Sequence, residues 1–327
     1  MKRSSLLGIK LALFIGITLL FVWALIAYAA AHRKSDGATS RNESFWGGDR
    51  KRIEKTFVLK SGGSFELSTD VGEVTVDGWE KEEVSFIAEI NGEPDFVRDF
   101  LLTYDTSSQR IVIKGEYEHH RWFFDSWNDA DVRFTIKVPR KCAVNAKTSG
   151  GNVVMTSLQG DTRGATSGGS VTANDIQGTT LLTTSGGSVK AKDIVGTCEA
   201  KTSGGGIRLQ NVKGNTVAKT SGGNLNLEEI EGTIDGHTSG GSIHAKLLTA
   251  GAGVSLRTSG GSITLEVPAT IAADVDARTS GGSVRCDLPV TVRGKMDENE
   301  LSGKINGGGN TIHLKTSGGN ITIKSLQ

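Results

Sequence analysis

The sequence is short of the residues that announce chemistry. Its three cysteines, Cys142, Cys198 and Cys286, are odd in number, lie far apart and form no CxxC pair. That excludes a disulfide framework and a zinc site of ordinary spacing, and leaves them as small core residues. Six histidines leave little for a catalytic triad, and no GxSxG elbow, P-loop or HExxH motif occurs. Charge of one sign is lacking too: Lys and Arg total 37 against 36 Asp and Glu, so no net charge draws the chain onto nucleic acid, and no basic stripe stands out along it. Proline is scarce, 4 residues against 44 glycines. Glycine lies far above the roughly 7% of an average protein without the proline that accompanies collagen or disorder, so a pattern must place it.

The first pattern is not glycine but its absence of charge. After a flank of residues 1–10 carrying Lys2, Arg3 and Lys10, residues 11–31 contain no charged side chain. A helix of that length at about 1.5 Å per residue spans about 30 Å, the depth of a bilayer core, and predicts a single-pass anchor. A cleaved signal peptide is the rival, because Ala27-Tyr28-Ala29 and Ala29-Ala30-Ala31 resemble cleavage sites, although its apolar region usually runs only about 7–15 residues. The basic flank favours a cytoplasmic N-terminus, with Arg33 and Lys34 on the other side weakening the contrast. Residues 32–52 are polar and aperiodic and read as a tether. The remainder of the chain is then expected to be periplasmic or extracellular.

From Thr148 the tetrapeptide TSGG recurs at Thr166, Thr184, Thr202, Thr220 and Thr238 with a constant 18-residue step, then at Thr258, Thr279 and Thr316 after longer gaps. Such self-similarity marks a repeat architecture. After each TSGG come apolar residues two apart, as in Val171 and Ala173 or Val189 and Ala191, the period of a strand. A further apolar residue (Leu158, Ile176, Ile194, Val212, Ile230) precedes a second glycine by two positions. Units too small to bury their own apolar faces must stack, so the sequence predicts an all-β fold, a parallel β-solenoid over residues 148–327 at about 4.8 Å per coil. Thr166, Ser167, Gly168 and Gly169, like Thr184, Ser185, Gly186 and Gly187, form its corners. Glycine there is expected to supply positive φ, and stacked threonines to pair their hydroxyls. On this reading Gly186→Val destabilises the rod and Thr172→Val does not.

Residues 53–147 alternate apolar and polar positions in several short runs and are expected to cap the rod, with one short helix near 95–102. At the other end Asn320-Ile321-Thr322-Ile323-Lys324 has no polar cap after it, leaving a strand edge open to self-association, and residues 287–315 are expected to loop off the last coils.

Leu67-Ser68-Thr69-Asp70-Val71-Gly72-Glu73-Val74-Thr75-Val76-Asp77-Gly78-Trp79, then Val138-Pro139 leading into Thr148-Ser149-Gly150-Gly151, and the iterated TSGG units resemble the bacterial putative-adhesin family of β-strand-repeat proteins, a domain of unknown function. The resemblance covers roughly residues 56–327. It implies a β-helix-like domain, often attached to a membrane helix, and transfers no catalytic residue.

Two groups of residues are candidates for a site. One is the column Ser157, Asp175, Asp193, Asn211 and Glu229, one residue per coil. Asp175 and Asp193 would stack about 5 Å apart, near the separation used by retaining glycosidases, and could also hold calcium. The plainer reading is that these side chains bond the backbone of the adjoining turn. The other is the aromatic stretch at 116–127, in which Trp122, Phe123 and Trp127 could stack on a sugar ring or anchor a partner, or could cover the core. His119 and His120, adjacent on a strand, face opposite sides and do not suit one metal. The expectation is a membrane-anchored, non-catalytic binding or scaffold protein without a cofactor, taking an envelope polymer, glycan or protein and not nucleic acid. The alternatives are a polysaccharide-active β-helix enzyme and a self-assembling polymer of rods.

Overall fold

The computed structural model describes residues 38–45, 50–117, 130–249, 253–292 and 297–326. The expected membrane helix lies outside them, and the expected tether only in part: against the aperiodic reading, its described residues are strand, in Ala38–Phe45 and at the start of Arg50–Val58. Among the described residues no helix is long and apolar enough to cross a membrane.

Each 18-residue unit folds into one coil with two strands. A seven-residue strand such as Val171–Gln177 joins a first sheet and a shorter one such as Thr180–Thr184 joins a second. Equivalent strands pair in parallel with an exact 18-residue register, Val153 to Val171 to Val189 to Ile207 to Leu225. Each sheet has fourteen strands. Their inner faces meet in one continuous apolar core, whose Val, Ile, Leu and Ala columns are fully buried. The all-β, parallel, solenoid-like architecture read from the repeat is what the chain forms.

The TSGG corner works differently from the expectation. Its threonines are buried, and their hydroxyls do not pair. Each donates instead to a carbonyl one layer below, Thr148 to Gly72 and the rest to the second glycine of the neighbouring TSGG: Thr184 Oγ1 to Gly169 O at 2.7 Å, and Thr202 Oγ1 to Gly187 O at 2.8 Å. The same oxygen accepts the N–H of its own second glycine, Gly187 N to Thr184 Oγ1 at 3.3 Å. The second glycine is required by close approach and not by φ, since a Cβ on Gly187 would lie 2.0 Å from the Gly169 carbonyl oxygen. Gly186 is less confined, its nearest neighbour being 3.3 Å away. Positive φ belongs to the other corner, where Gly178 has φ 133°.

The ladder begins before the first TSGG. Strands Ser64–Thr69 and Glu73–Trp79 form a coil directly beside Ala143–Thr148 and Val153–Gln159, with Thr69 opposite Thr148. Beyond it the sheets turn antiparallel: Arg50–Val58 on Glu83–Asn91 and Glu83–Asn91 on Asp131–Pro139 in one, Phe100–Thr106 on Arg110–Tyr117 in the other. The short helix is Pro94–Asp99. Phe86, Phe134 and Phe100, with ring centroids 6.0 and 6.5 Å apart in sequence, fill this end.

The far end corrects two expectations. Strand Ile321–Ser325 is not an open edge: it lies between Ile263–Val267 and Val284–Cys286. Likewise Asn310–Thr316 lies between Val254–Arg257 and Ala273–Thr279. The coil made by residues 310–325 is therefore slotted beneath a coil earlier in the chain. Nor do residues 287–315 loop away. They supply Val290–Val292 and Glu300–Ile305, antiparallel strands that finish the second sheet. The motive for end-to-end stacking of rods through Ile321–Ser325 is removed.

Candidate functional site

The column Ser157, Asp175, Asp193, Asn211 and Glu229 sits inside the long strands of the first sheet. All five have left-handed backbones, with φ between 52° and 58°. Their role is to reset the alternation. Along Val171–Gln177 the buried residues are 171, 173 and 176, a pattern possible only because the extra residue at 175 turns the chain by one position, as a bulge does. Asp and Asn tolerate this conformation better than most residues, which accounts for three of the five.

The side chains of Ser157, Asp175, Asp193 and Asn211 bond along the ladder and not to the adjoining turn. Asp175 Oδ2 accepts from Ser157 Oγ at 2.8 Å and from Arg140 Nη2 at 2.9 Å. Asp193 Oδ1 accepts from Asn211 Nδ2 at 2.6 Å. The two carboxylates occupy equivalent places on adjacent coils, yet one is turned towards the N-terminal end of the rod and the other away from it. A pair of carboxyls acting on one glycosidic bond would have to face a common space.

Beside Arg140 lies an open groove of about 410 Å³ lined by Ser61, Trp79, Glu80, Lys81, Glu82, Pro139, Lys141 and Gln159. Trp79 is half-buried in its wall; its indole N–H donates to Glu83 O at 2.8 Å, and Lys81 Nζ stands 4.8 Å from the ring centroid. The ring that could stack on a sugar is thus partly occupied by a lysine, an arrangement worth about 0.5–1 kcal/mol at an exposed site. The sequence held the signal for this groove in Trp79, which closes the first coil.

Trp122, Phe123 and Trp127 lie outside the described residues. Their neighbour Tyr117 stacks on Phe96 with centroids 5.3 Å apart. Cys142 and Cys198 are buried, as expected of core residues, and Cys286 is half-buried; burial pushes the first two up to about 12 and raises Cys286 as well. Thiols so held are poor nucleophiles and poor ligands. Among the described residues no three of His, Cys, Asp and Glu are grouped to hold a metal ion.

A family model described as Toastrack DUF4097 matches residues 66–324. The chain belongs to that family. This bears out the resemblance drawn from Leu67–Trp79 and the TSGG units, and the Toastrack fold is the one described above. No curated protein matches the sequence. Among solved structures, a putative lipid binding protein from Parabacteroides distasonis is 12% identical with a TM-score of 0.50, over 86% of this chain and 98% of that one. A putative adhesin from Parabacteroides merdae is 11% identical with a TM-score of 0.43, over 84% and 96%. A putative cell adhesion protein from Clostridium sporogenes is 15% identical with a TM-score of 0.24, over 84% and 100%. At such identities the first likeness speaks to the fold of a Toastrack protein alone.

Proposed function

We propose that this Toastrack protein is a non-catalytic binding and scaffold protein, held to a membrane by residues 11–31 with its solenoid on the extracytoplasmic side. The observation that carries this reading is repetition. Outward positions on both sheets fall into straight columns with one side chain per coil, so the surface offers the same spacing many times over, which suits a repeating polymer or an extended protein strand. The engagement of Asp175 by Arg140 and Ser157, and of Asp193 by Asn211, supports a structural role for the carboxylates that an enzyme would need free. The solved neighbours named for adhesion and lipid binding are compatible with a binding surface.

The test is binding of the full-length chain, purified in a non-ionic detergent, to an array of glycans and envelope polymers, beside an Asp175→Asn/Asp193→Asn variant. The expected result is binding that the variant retains, with no turnover of any bound polymer. Cleavage by the parent that the variant loses would replace this reading by the polysaccharide-active enzyme.

A further inference from the structure

The linear sequence shows no basic stripe, but the fold assembles one. On the second sheet the outward residue just before each TSGG threonine stacks in register: Lys201 on Lys219, Lys219 on His237, His237 on Arg257, Arg257 on Lys315 and Lys315 on Arg278. All six are exposed. At about 4.8 Å per coil they form a single file about 24 Å long.

In-register like charges on neighbouring strands repel and destabilise a sheet, so this file needs compensation. Part of it is internal. The next outward column places Glu199 against Lys201, Asp235 at 3.1 Å from Lys219, and Asp276 at 2.8 Å from Arg278. The centre is left out. Ser255 stands beside Arg257 and His313 beside Lys315, and among the described residues His237, Arg257 and Lys315 have no ion-pair partner. Two successive layers, those of Arg257 and Lys315, therefore present cations with no carboxylate opposite them, and the imidazole of His237 adjoins them.

We infer that this column binds a linear acidic polysaccharide, one that carries a negative charge on each sugar and lies along the rod's length. The inference rests on the binding reading above and names the ligand class for one face. The surroundings select the ligand. On one side of the file run the exposed serines of the corners, Ser221, Ser239 and Ser259 among them, hydroxyls suited to hydrogen bonds with sugar hydroxyls. On the other side Glu199, Asp235 and Asp276, interrupted by Val217, Ser255 and His313, repel any polyanion too broad to fit over a single file, which disfavours duplex nucleic acid and a flat anionic membrane. Aromatic side chains interleaved with the cations, which single-stranded nucleic acid uses for stacking, are absent from the outward positions of strands Cys198–Lys201, Thr216–Lys219, Ile234–His237 and Val254–Arg257.

The experiment measures binding of the full-length chain in non-ionic detergent to oligogalacturonate, which has one carboxylate per sugar, and to its methyl ester, which has none. Two charge-reversed variants are compared: Arg257→Glu/Lys315→Glu on the file, and Lys190→Glu/Arg208→Glu, an exposed in-register pair on the other sheet. The acid form should bind, more weakly as salt rises, and the ester should not. The file variant should lose about tenfold or more in affinity, while the other pair, with the same change in net charge, stays within about twofold. Arg257→Gln/Lys315→Gln, with melting temperature measured alongside, should weaken binding in the same direction without loss of fold.

Equal losses in the two charge-reversed variants would overturn the inference, as would failure to bind oligogalacturonate, or tighter binding to an oligonucleotide or to phosphatidylglycerol vesicles. A neutral glycan or a protein captured on the array and unaffected by Arg257→Glu/Lys315→Glu would overturn the acidic ladder and leave the binding reading standing. Silence towards every probe would overturn both.

Discussion

Replacing Gly169 by alanine places a methyl group 2.0 Å from the Gly151 carbonyl oxygen, whereas at Gly168 the nearest atom is 3.8 Å away. The two adjacent glycines of one TSGG are therefore unequal. Gly169→Ala is expected to cost about 2 kcal/mol or more by overpacking, and Gly168→Ala to be neutral or to stabilise by up to about 1 kcal/mol by restricting the unfolded chain. Urea melts of both variants check this. Thr184 gives a second contrast. It is 3% exposed, donates to Gly169 O and accepts from Gly187 N–H. Thr184→Val should cost about 1–3 kcal/mol by orphaning those buried groups, while Thr172→Val on the outer face should fall within about 0.5 kcal/mol. Sequence alone could mark the TSGG residues as special but not divide the labour among them. A buried threonine and a β-branched outer residue look alike until the layer below is known. The five left-handed residues were hidden for a similar reason: Asp175 and Asn211 read as turn formers, and only the buried 171, 173, 176 pattern shows that they act within a strand.

At the scale of the coil, the exact register makes a sharper test. Deleting Thr184–Lys201 removes 18 residues and joins Thr183 directly to Thr202, so that Thr183 takes the place of Lys201, its equivalent one coil on. The shortened chain should fold cooperatively and melt within about 5 °C of the parent, since stability in a solenoid is close to a sum over layers. Deleting only Thr184–Ala200 should abolish cooperative melting, because a one-residue slip exchanges inner and outer faces of every strand up to the next corner. The coil was the most legible element for the same physical reason that it is deletable: each unit repeats the whole instruction for itself. Legibility ended where units stop being consecutive. TSGG at Thr258, Thr279 and Thr316 carries no local mark of its neighbour, so the order 258, 316, 279 along the rod is fixed by which layer Glu300–Ile305 and Val290–Val292 cover, a non-local choice. The cationic file was written in the sequence, as Lys201, Lys219, His237, Arg257, Arg278 and Lys315 each precede a TSGG. Scattered from Lys201 to Lys315, over more than a hundred residues, it becomes a stripe only when the chain coils.

The stacked coils treat their two faces and two ends differently. One end passes into antiparallel strands packed with phenylalanine, the other into antiparallel strands on the second sheet only. The first sheet mixes Lys190, Arg208, Glu228 and Glu231 on its outer side, and the second concentrates cations in one file. The interleaving of the coil at 310–325 also governs how such an object can be built. A simple stack of coils can grow like a zipper, each layer templating the next in the order it is made. Here consecutive coils do not pair: the layer at 310–325 stands between the layer at 254–267 and the layer at 273–286 and pairs with both. Growth in the order of the chain therefore cannot by itself produce this end, and the last segment ties two earlier coils into one ladder.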